Sequence, residues 1–143
     1  ERFSFNHKNS TFIGINSVII KSGVNKKAER KQFRWLKKQL KRSRKSDHIF
    51  LFTHYPFFLK DIDEPEEYMN QTKEIRKKYV ELFDKYNVKA VFAGHLHNNA
   101  EAQYKDIQMI TTNSTGKALG SAKPGVRIIK IDKNTFSHLY EEF

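Results

Sequence analysis

The chain has 143 residues, 38% of them hydrophobic, and no linker or internal repeat divides it, so one modest core is expected: one domain, or part of one. With no cysteine it cannot use a disulfide framework or thiolate metal ligands, and its compartment stays open between cytoplasmic and exported. The net charge of +11 points to nucleic acid only until it is located: 11 of the 27 basic residues lie between Lys26 and Lys45 against the single acid Glu29, and the remainder is nearly neutral.

The chain opens at Glu1 and runs at once into a strand-like Arg2-Phe3-Ser4-Phe5, which reads as the continuation of a longer protein. No signal peptide precedes it, and no apolar run approaches the roughly 20 residues of a membrane span, so a soluble segment is expected. In the basic segment Phe33, Leu36 and Leu40 recur at helical spacing, which predicts a surface helix from about residue 26 to residue 45. Its charged face is read as solvated. The sharper alternative is salt-dependent contact with phosphate-rich polymers or an anionic membrane, although no RNA- or DNA-binding motif supports a nucleic-acid partner.

Residues 49–53 and 88–93 are short apolar runs of the kind that form strands covered on both faces. Between them Ile75, Tyr79, Leu82, Phe83 and Tyr86 predict an amphipathic helix with Asn87 as its stop. A strand–helix–strand unit makes the two strands parallel, so His54 and His95, one after each run, emerge at the same carboxyl edge. Residues 57–70 join the first strand to the helix and carry Asp61, Asp63, Glu64, Glu66, Glu67 and Tyr68; they read either as a lid beside that edge or as a plain solvated loop. Further strands are expected over 107–111, 126–131 and 135–140, with a turn at Asp132-Lys133-Asn134. Gly116-Lys117, with Gly120 and Gly125 downstream, lacks the order of a phosphate loop.

The chemistry is concentrated in Gly94-His95-Leu96-His97. If the strand continues through it, His95 and His97 share a face and Leu96 points to the core, while Gly94 lets the chain turn sharply. With His54 they make a candidate metal site, since neutral imidazole suits zinc, iron, manganese or nickel. Tyr55, Asn98 and Asn99 flank these residues and either hydrogen-bond a phosphate or hold turns. His7, His48 and His138 have no partner at ligand spacing and are assigned no role.

Thr53-His54-Tyr55-Pro56 followed by residues 91–97 resembles the C-terminal half of a calcineurin-like metallophosphoesterase, in which a lone histidine precedes a closing Gly-His-x-His. Residues 12–17 are similar to that family's central strand, 32–40 to its Trp-Leu helix and 56–59 to the segment after the lone histidine. The resemblance implies an α/β fold, the second half of a four-layer αββα sandwich with mixed β-sheets. It also implies a dinuclear metal site, with His54 and His95 on one ion and His97 on the other, the ions being manganese, iron or zinc. The expected activity of the intact protein is hydrolysis of phosphomonoesters, those on proteins included, by a metal-bound hydroxide, with a phosphodiester as the alternative substrate. The family's Asp-x-His, Gly-Asp-x-x-Asp and Gly-Asn-His-Asp/Glu motifs are not found here, so this chain is expected to be the C-terminal portion of one domain and inactive without the N-terminal half. The strands over 49–52 and 88–93 are then expected to lack a covering layer on one face. The rival reading is a non-catalytic polyanion-binding module or a degenerate relative.

Overall fold

The computed structural model describes residues 1–119 and 121–143; Gly120 of the glycine-containing 116–125 stretch lies outside the described residues. In chain order the elements are β1 (Phe3–His7), β2 (Ser10–Gly14), α1 (Ser17–Ser22), α2 (Lys26–Arg42), β3 (His48–Phe52), α3 (Lys73–Lys85), β4 (Ala90–Ala93), β5 (Ala100–Tyr104), β6 (Ile107–Thr111), β7 (Gly125–Ile131) and β8 (Phe136–Glu142). Six strands form one sheet in the order β1-β2-β3-β4-β6-β5, and β7 and β8 form a separate hairpin. β2, β3, β4 and β6 are parallel, while β1 and β5 close the two edges antiparallel.

Strand alternation divides the core in two. Ile13, Ile49, Leu51, Val91 and Met109 face Leu36 and Leu40 of α2 and Tyr79, Val80 and Phe83 of α3. Phe50, Phe92 and Ile110 face the other way, against Ile129 and Phe136 of the hairpin. The chain thus stacks a helical layer, a mixed six-stranded sheet and a two-stranded hairpin, a mixed α/β arrangement consistent with the metallophosphoesterase fold. The parallel pairing of β3 and β4 around α3 is as expected.

Each helix forms for a local reason. Asn25 caps α2 by accepting from the Ala28 amide at 2.9 Å, and Lys41 and Arg42 in the last turn complement the helix dipole. α3 stops where Asn87 takes the left-handed conformation, φ 56°, a role asparagine fills without the penalty other residues incur. Its Arg76 is fully buried, and the guanidinium donates to the carbonyl oxygens of Gln71, Ile62, Glu64 and Pro65. A buried cation without a carboxylate partner is sustained here by four oriented carbonyl dipoles, which fold the acidic segment back onto α3.

Three expectations are corrected. β2 ends at Gly14, and Asn16 and Ser17, assigned to a strand, instead cap and begin the short helix α1, with the Asn16 side chain accepting from the Val18 and Ile19 amides. The basic helix ends at Arg42. The faces of β3 and β4 are not bare, because Phe136 packs edge-on against Phe50 at 5.1 Å and leaves Phe50 and Phe92 0% and 6% exposed. The exposed apolar surface lies elsewhere: Phe3 and Phe5 on β1, half exposed at 50% and 54%, and Val126, Ile128 and Leu139 on the outer side of the hairpin.

Candidate metal centre

The site is assembled where β3 and β4 leave the sheet. The ladder continues one step past both strands, with the Thr53 amide donating to the Phe92 carbonyl at 2.9 Å and the Gly94 amide to the His54 carbonyl at 3.1 Å. Ser17, fully buried at the start of α1, accepts through Oγ from the His54 amide at 3.0 Å and the Tyr55 amide at 2.7 Å. One hydroxyl thereby fixes the backbone of a proposed ligand, and neither pattern nor spacing singled it out.

The strand does not continue through Gly94-His95-Leu96-His97. The Leu96 amide donates to the Gly94 carbonyl at 2.8 Å around His95, whose φ is 67°, which makes a γ-turn; His97 is also left-handed, φ 52°. The glycine is not the residue that turns; the histidines are. Two consecutive alternate residues held at positive φ without being glycine store backbone strain of the kind that accumulates at functional sites. A Cβ added at Gly94 would meet nothing within 4 Å.

The turn brings His95 Nδ1 to 3.2 Å from His54 Nε2, a hydrogen bond in which one ring donates to the other and whose proton an ion held by both nitrogens would displace. Nitrogens this far apart, each at the zinc-ligand distance of about 2.1 Å, subtend about 100° at a shared ion, between the octahedral and tetrahedral angles. His97 Nδ1 lies 2.7 Å from the Lys117 carbonyl, which can only accept, so Nδ1 carries the proton and the neutral ring keeps its lone pair on Nε2. A carbonyl that fixes the tautomer in this way is the usual second partner of a metal-ligating histidine. His95 Nε2 is buried and has no hydrogen-bond partner. Burial, then the neighbouring His54, His97 and Lys21, holds the His95 pKa below its ordinary value and so favours the neutral, ligating form. The donors therefore fit a metal in part. Among the described residues no three or more histidine, aspartate or glutamate side chains converge as a complete metal site.

Aromatic rings enclose His95: Tyr55 at 3.9 Å between centroids and Tyr68 at 5.1 Å. The Tyr55 phenol is hydrogen-bonded to that of Tyr68, which raises its pKa. Tyr68 comes from the acidic segment, whose carboxylates chiefly hold the loop itself. Glu64 accepts from the amides of Leu59, Lys60 and Asp61 and from Asn70 Nδ2. Burial works to raise the Glu64 pKa, and these donors outweigh it and hold the carboxyl below its usual range. Lys21 adds a clamp from α1 through the Glu67 and Asn70 carbonyls. Asn98 Oδ1 accepts from the Asn99 amide and holds a turn, while Asn99 Oδ1 accepts from the Asn113 amide and Arg127 and ties that turn to the chain after β6 and to β7.

The remaining histidines are elsewhere. His7 lines a cleft of about 760 Å³ at the opposite end of the sheet, with Ser10, Asp47 and Asp132. His48 donates from Nε2 to the Asp132 carbonyl at 2.7 Å. His138 accepts at Nδ1 from Arg127 at 2.8 Å and meets Gln108 Oε1 at 3.2 Å through Nε2. Burial lowers the His138 pKa from the ordinary 6.5, and the protonated ring could no longer accept from Arg127. The unfolded chain then binds more protons than the folded one below about pH 6.5, so stability should fall as pH drops through that window. Thermal melts from pH 7.5 to 5 should show this, with His138→Gln flattening the profile; an unchanged slope in that variant would remove His138 from the account.

The family model for calcineurin-like phosphoesterases matches residues 2–99. The chain is 32% identical over 141 residues to the serine/threonine-protein phosphatase CPPED1 of Rattus norvegicus, covering 96% of this chain and 45% of that protein. It is 37% identical over 112 residues to the same-named protein of Homo sapiens, covering 76% of this chain and 36% of that protein. The chain therefore spans less than half the length of the curated relatives it matches. Among solved structures, GAP50, the anchor in the inner membrane complex of Plasmodium, superposes with a TM-score of 0.62 at 22% identity, over 96% of this chain and 42% of that one, a likeness of fold. With a family model matched from the first strand through the histidine turn, this chain belongs to the calcineurin-like phosphoesterase family.

Proposed function

We propose that the intact protein is a metal-dependent phosphomonoesterase, acting on phosphorylated serine or threonine among its substrates, and that this chain is the C-terminal portion of its single domain. The observation that carries the reading is the convergence of His54 Nε2 and His95 Nδ1 at 3.2 Å on a carboxyl sheet edge, in a chain of this family. His54 and His95 would hold one ion and His97, through Nε2, a second; manganese, iron and zinc all accept such ligands. Metal ions bound there would supply Lewis-acid charge neutralisation at the phosphoryl group and activation of water.

The chain's own residues prepare that chemistry. Ser17 fixes the His54 backbone, Lys117 fixes the His97 tautomer, and the Tyr55–Tyr68 pair shields one side of His95 from water. The Tyr55 hydroxyl and the amide nitrogens of Asn98 and Asn99 are the proposed phosphate contacts. The other half of the domain would supply the bridging carboxylates and cover the apolar outer side of the hairpin, Val126, Ile128 and Leu139. No helix among the described residues is long and apolar enough to cross a membrane.

The test is the full-length protein stripped with chelator and reloaded with manganese, iron or zinc. Turnover of p-nitrophenyl phosphate and of phosphoserine and phosphothreonine peptides is expected to vanish on stripping and return on reloading. Absence of turnover with every metal rejects the reading.

A further inference from the structure

Every exposed position of α2 is lysine or arginine: Lys26, Lys27, Arg30, Lys31, Arg34, Lys37, Lys38, Lys41 and Arg42. At i, i+3 and i+4 spacing they form one continuous face on a helix of about 25 Å. None of them forms an ion pair among the described residues. The one acid of the segment, Glu29, is turned inward, where its carboxylate accepts from Lys78 Nζ and the Tyr79 hydroxyl, both at 2.9 Å. The fold thus removes the only charge that could neutralise the face, and like charges at helical spacing destabilise an isolated helix.

The face begins at the sheet edge that carries the candidate metal centre. α2 joins β2 to the parallel strand β3, so its N-terminal end lies at the carboxyl edge that carries His54. Gln32 in its second turn accepts from the Asn16 amide at 2.8 Å and donates to the Asn16 carbonyl at 3.0 Å, and the adjacent Ser17 holds the His54 and Tyr55 amides. Beside that end a groove of about 470 Å³ is lined by Lys27, Arg30, Phe33 and Arg34.

We propose that this face is a docking surface for the acidic polypeptide sequence flanking a phosphorylated residue, an inference that rests on the phosphatase reading. The surface offers charge without stacking or insertion. Of the helix's two aromatic residues, Phe33 packs edge-on against Tyr79 at 4.9 Å with its remaining surface in the groove, and Trp35 lies beneath Arg2 at 4.9 Å, so no row of rings runs along the basic face for successive nucleobases or a lipid interface. An acidic peptide needs neither, and a phosphorylated one carries to the adjoining edge a serine or threonine phosphomonoester, the substrate class proposed above, where RNA and phosphatidylserine carry diesters. An extended peptide rises about 3.3 Å per residue, so about eight residues span the helix.

That length makes a geometric test, run on the full-length protein with glutamine replacements, which keep helix propensity. At low salt, replacing Lys27, Arg30, Lys31 and Arg34 should raise KM about tenfold for a phosphoserine peptide flanked by four glutamates, with kcat unchanged. Replacing Lys37, Lys38, Lys41 and Arg42 should do so only when the acidic tract exceeds about five residues, reaching its full effect near about eight. Both effects should fade at high salt, and p-nitrophenyl phosphate should be unaffected. Equal changes with p-nitrophenyl phosphate, or no change with any peptide, overturn the proposal. So does charge-dependent binding to phosphatidylserine vesicles or RNA with peptide KM unchanged. If the wild-type protein turns over no phosphoester, the phosphatase reading fails separately. Anisotropy of labelled oligoglutamates of four and twelve residues then decides the docking surface alone: length- and charge-dependent binding retains it, and its absence overturns it.

Discussion

His97→Ala in the full-length protein is expected to cut phosphatase turnover roughly 10³-fold, about 4 kcal/mol of barrier, and His95→Ala to do at least as much. Each removes a nitrogen that the fold takes trouble to present. For His97 the Lys117 carbonyl holds the proton on Nδ1 and leaves Nε2 free. For His95 a γ-turn at φ 67° aims the ring at His54. Folding should change little, since both residues stand half-exposed on the rim and contribute no side chain to either core cluster. Asparagine variants at both positions separate ligation from backbone effects, because asparagine tolerates the left-handed region and cannot replace imidazole in this role. Loss of turnover together with loss of bound metal, at an unchanged melting temperature, is the expected pattern. Wild-type turnover in His97→Ala would overturn the site assignment.

The sequence was legible where burial sets the pattern. α3 is identified by its 3.6-residue apolar period, and β3 and β4 are continuous apolar runs buried on both faces, typed as strands by their shortness and by the helix between them. β5 was missed because Ala100-Glu101-Ala102-Gln103-Tyr104 is an edge strand that buries no large apolar side chain, and its pairing with β6 is a backbone matter. α1 was missed because Val18, Ile19 and Ile20 are β-branched, and only the Asn16 cap turns them helical. At the site, residue identity revealed the histidines but not their arrangement. A strand would have placed His95 and His97 on one side by alternation; the γ-turn instead positions them through backbone strain, which no apolar pattern records. Ser17 was unreadable for a related reason, and Tyr68 was legible only as part of a segment beside that edge, lid or plain loop, not as a ring against His95. Each reaches the site across the chain, from a helix start 37 residues before His54 and from a loop tied down by Arg76, Lys21 and Glu64.

Residues 1–143 prepared alone are expected to hold at most one weakly bound ion per chain and to show no phosphatase turnover. Two dications about 4 Å apart repel four times as strongly as two unit charges, about 16 kcal/mol at an effective dielectric constant of about 20. Neutral imidazoles cannot offset that, and a chain of net charge +11 adds to it. Three carboxylates of the acidic segment are already engaged in holding it. Glu64 is engaged by three backbone amides and Asn70, Asp61 accepts from the Asp63 amide, and Glu66 from the Lys73 amide. Recruiting any of them to a metal would forfeit hydrogen bonds that hold the loop carrying Tyr68. The same preparation should self-associate through Phe3 and Phe5 on the β1 edge and through Val126, Ile128 and Leu139 on the hairpin, surfaces that the rest of the domain is proposed to cover. Metal analysis after dialysis and light scattering check both halves of the expectation, and co-expression with the proposed N-terminal half should restore two ions, turnover and a discrete size together. Two tightly bound ions and robust turnover from residues 1–143 alone would mean that a carboxylate of the 61–67 segment leaves its amide partners to ligate metal, and the loop would then be a moving part of the site.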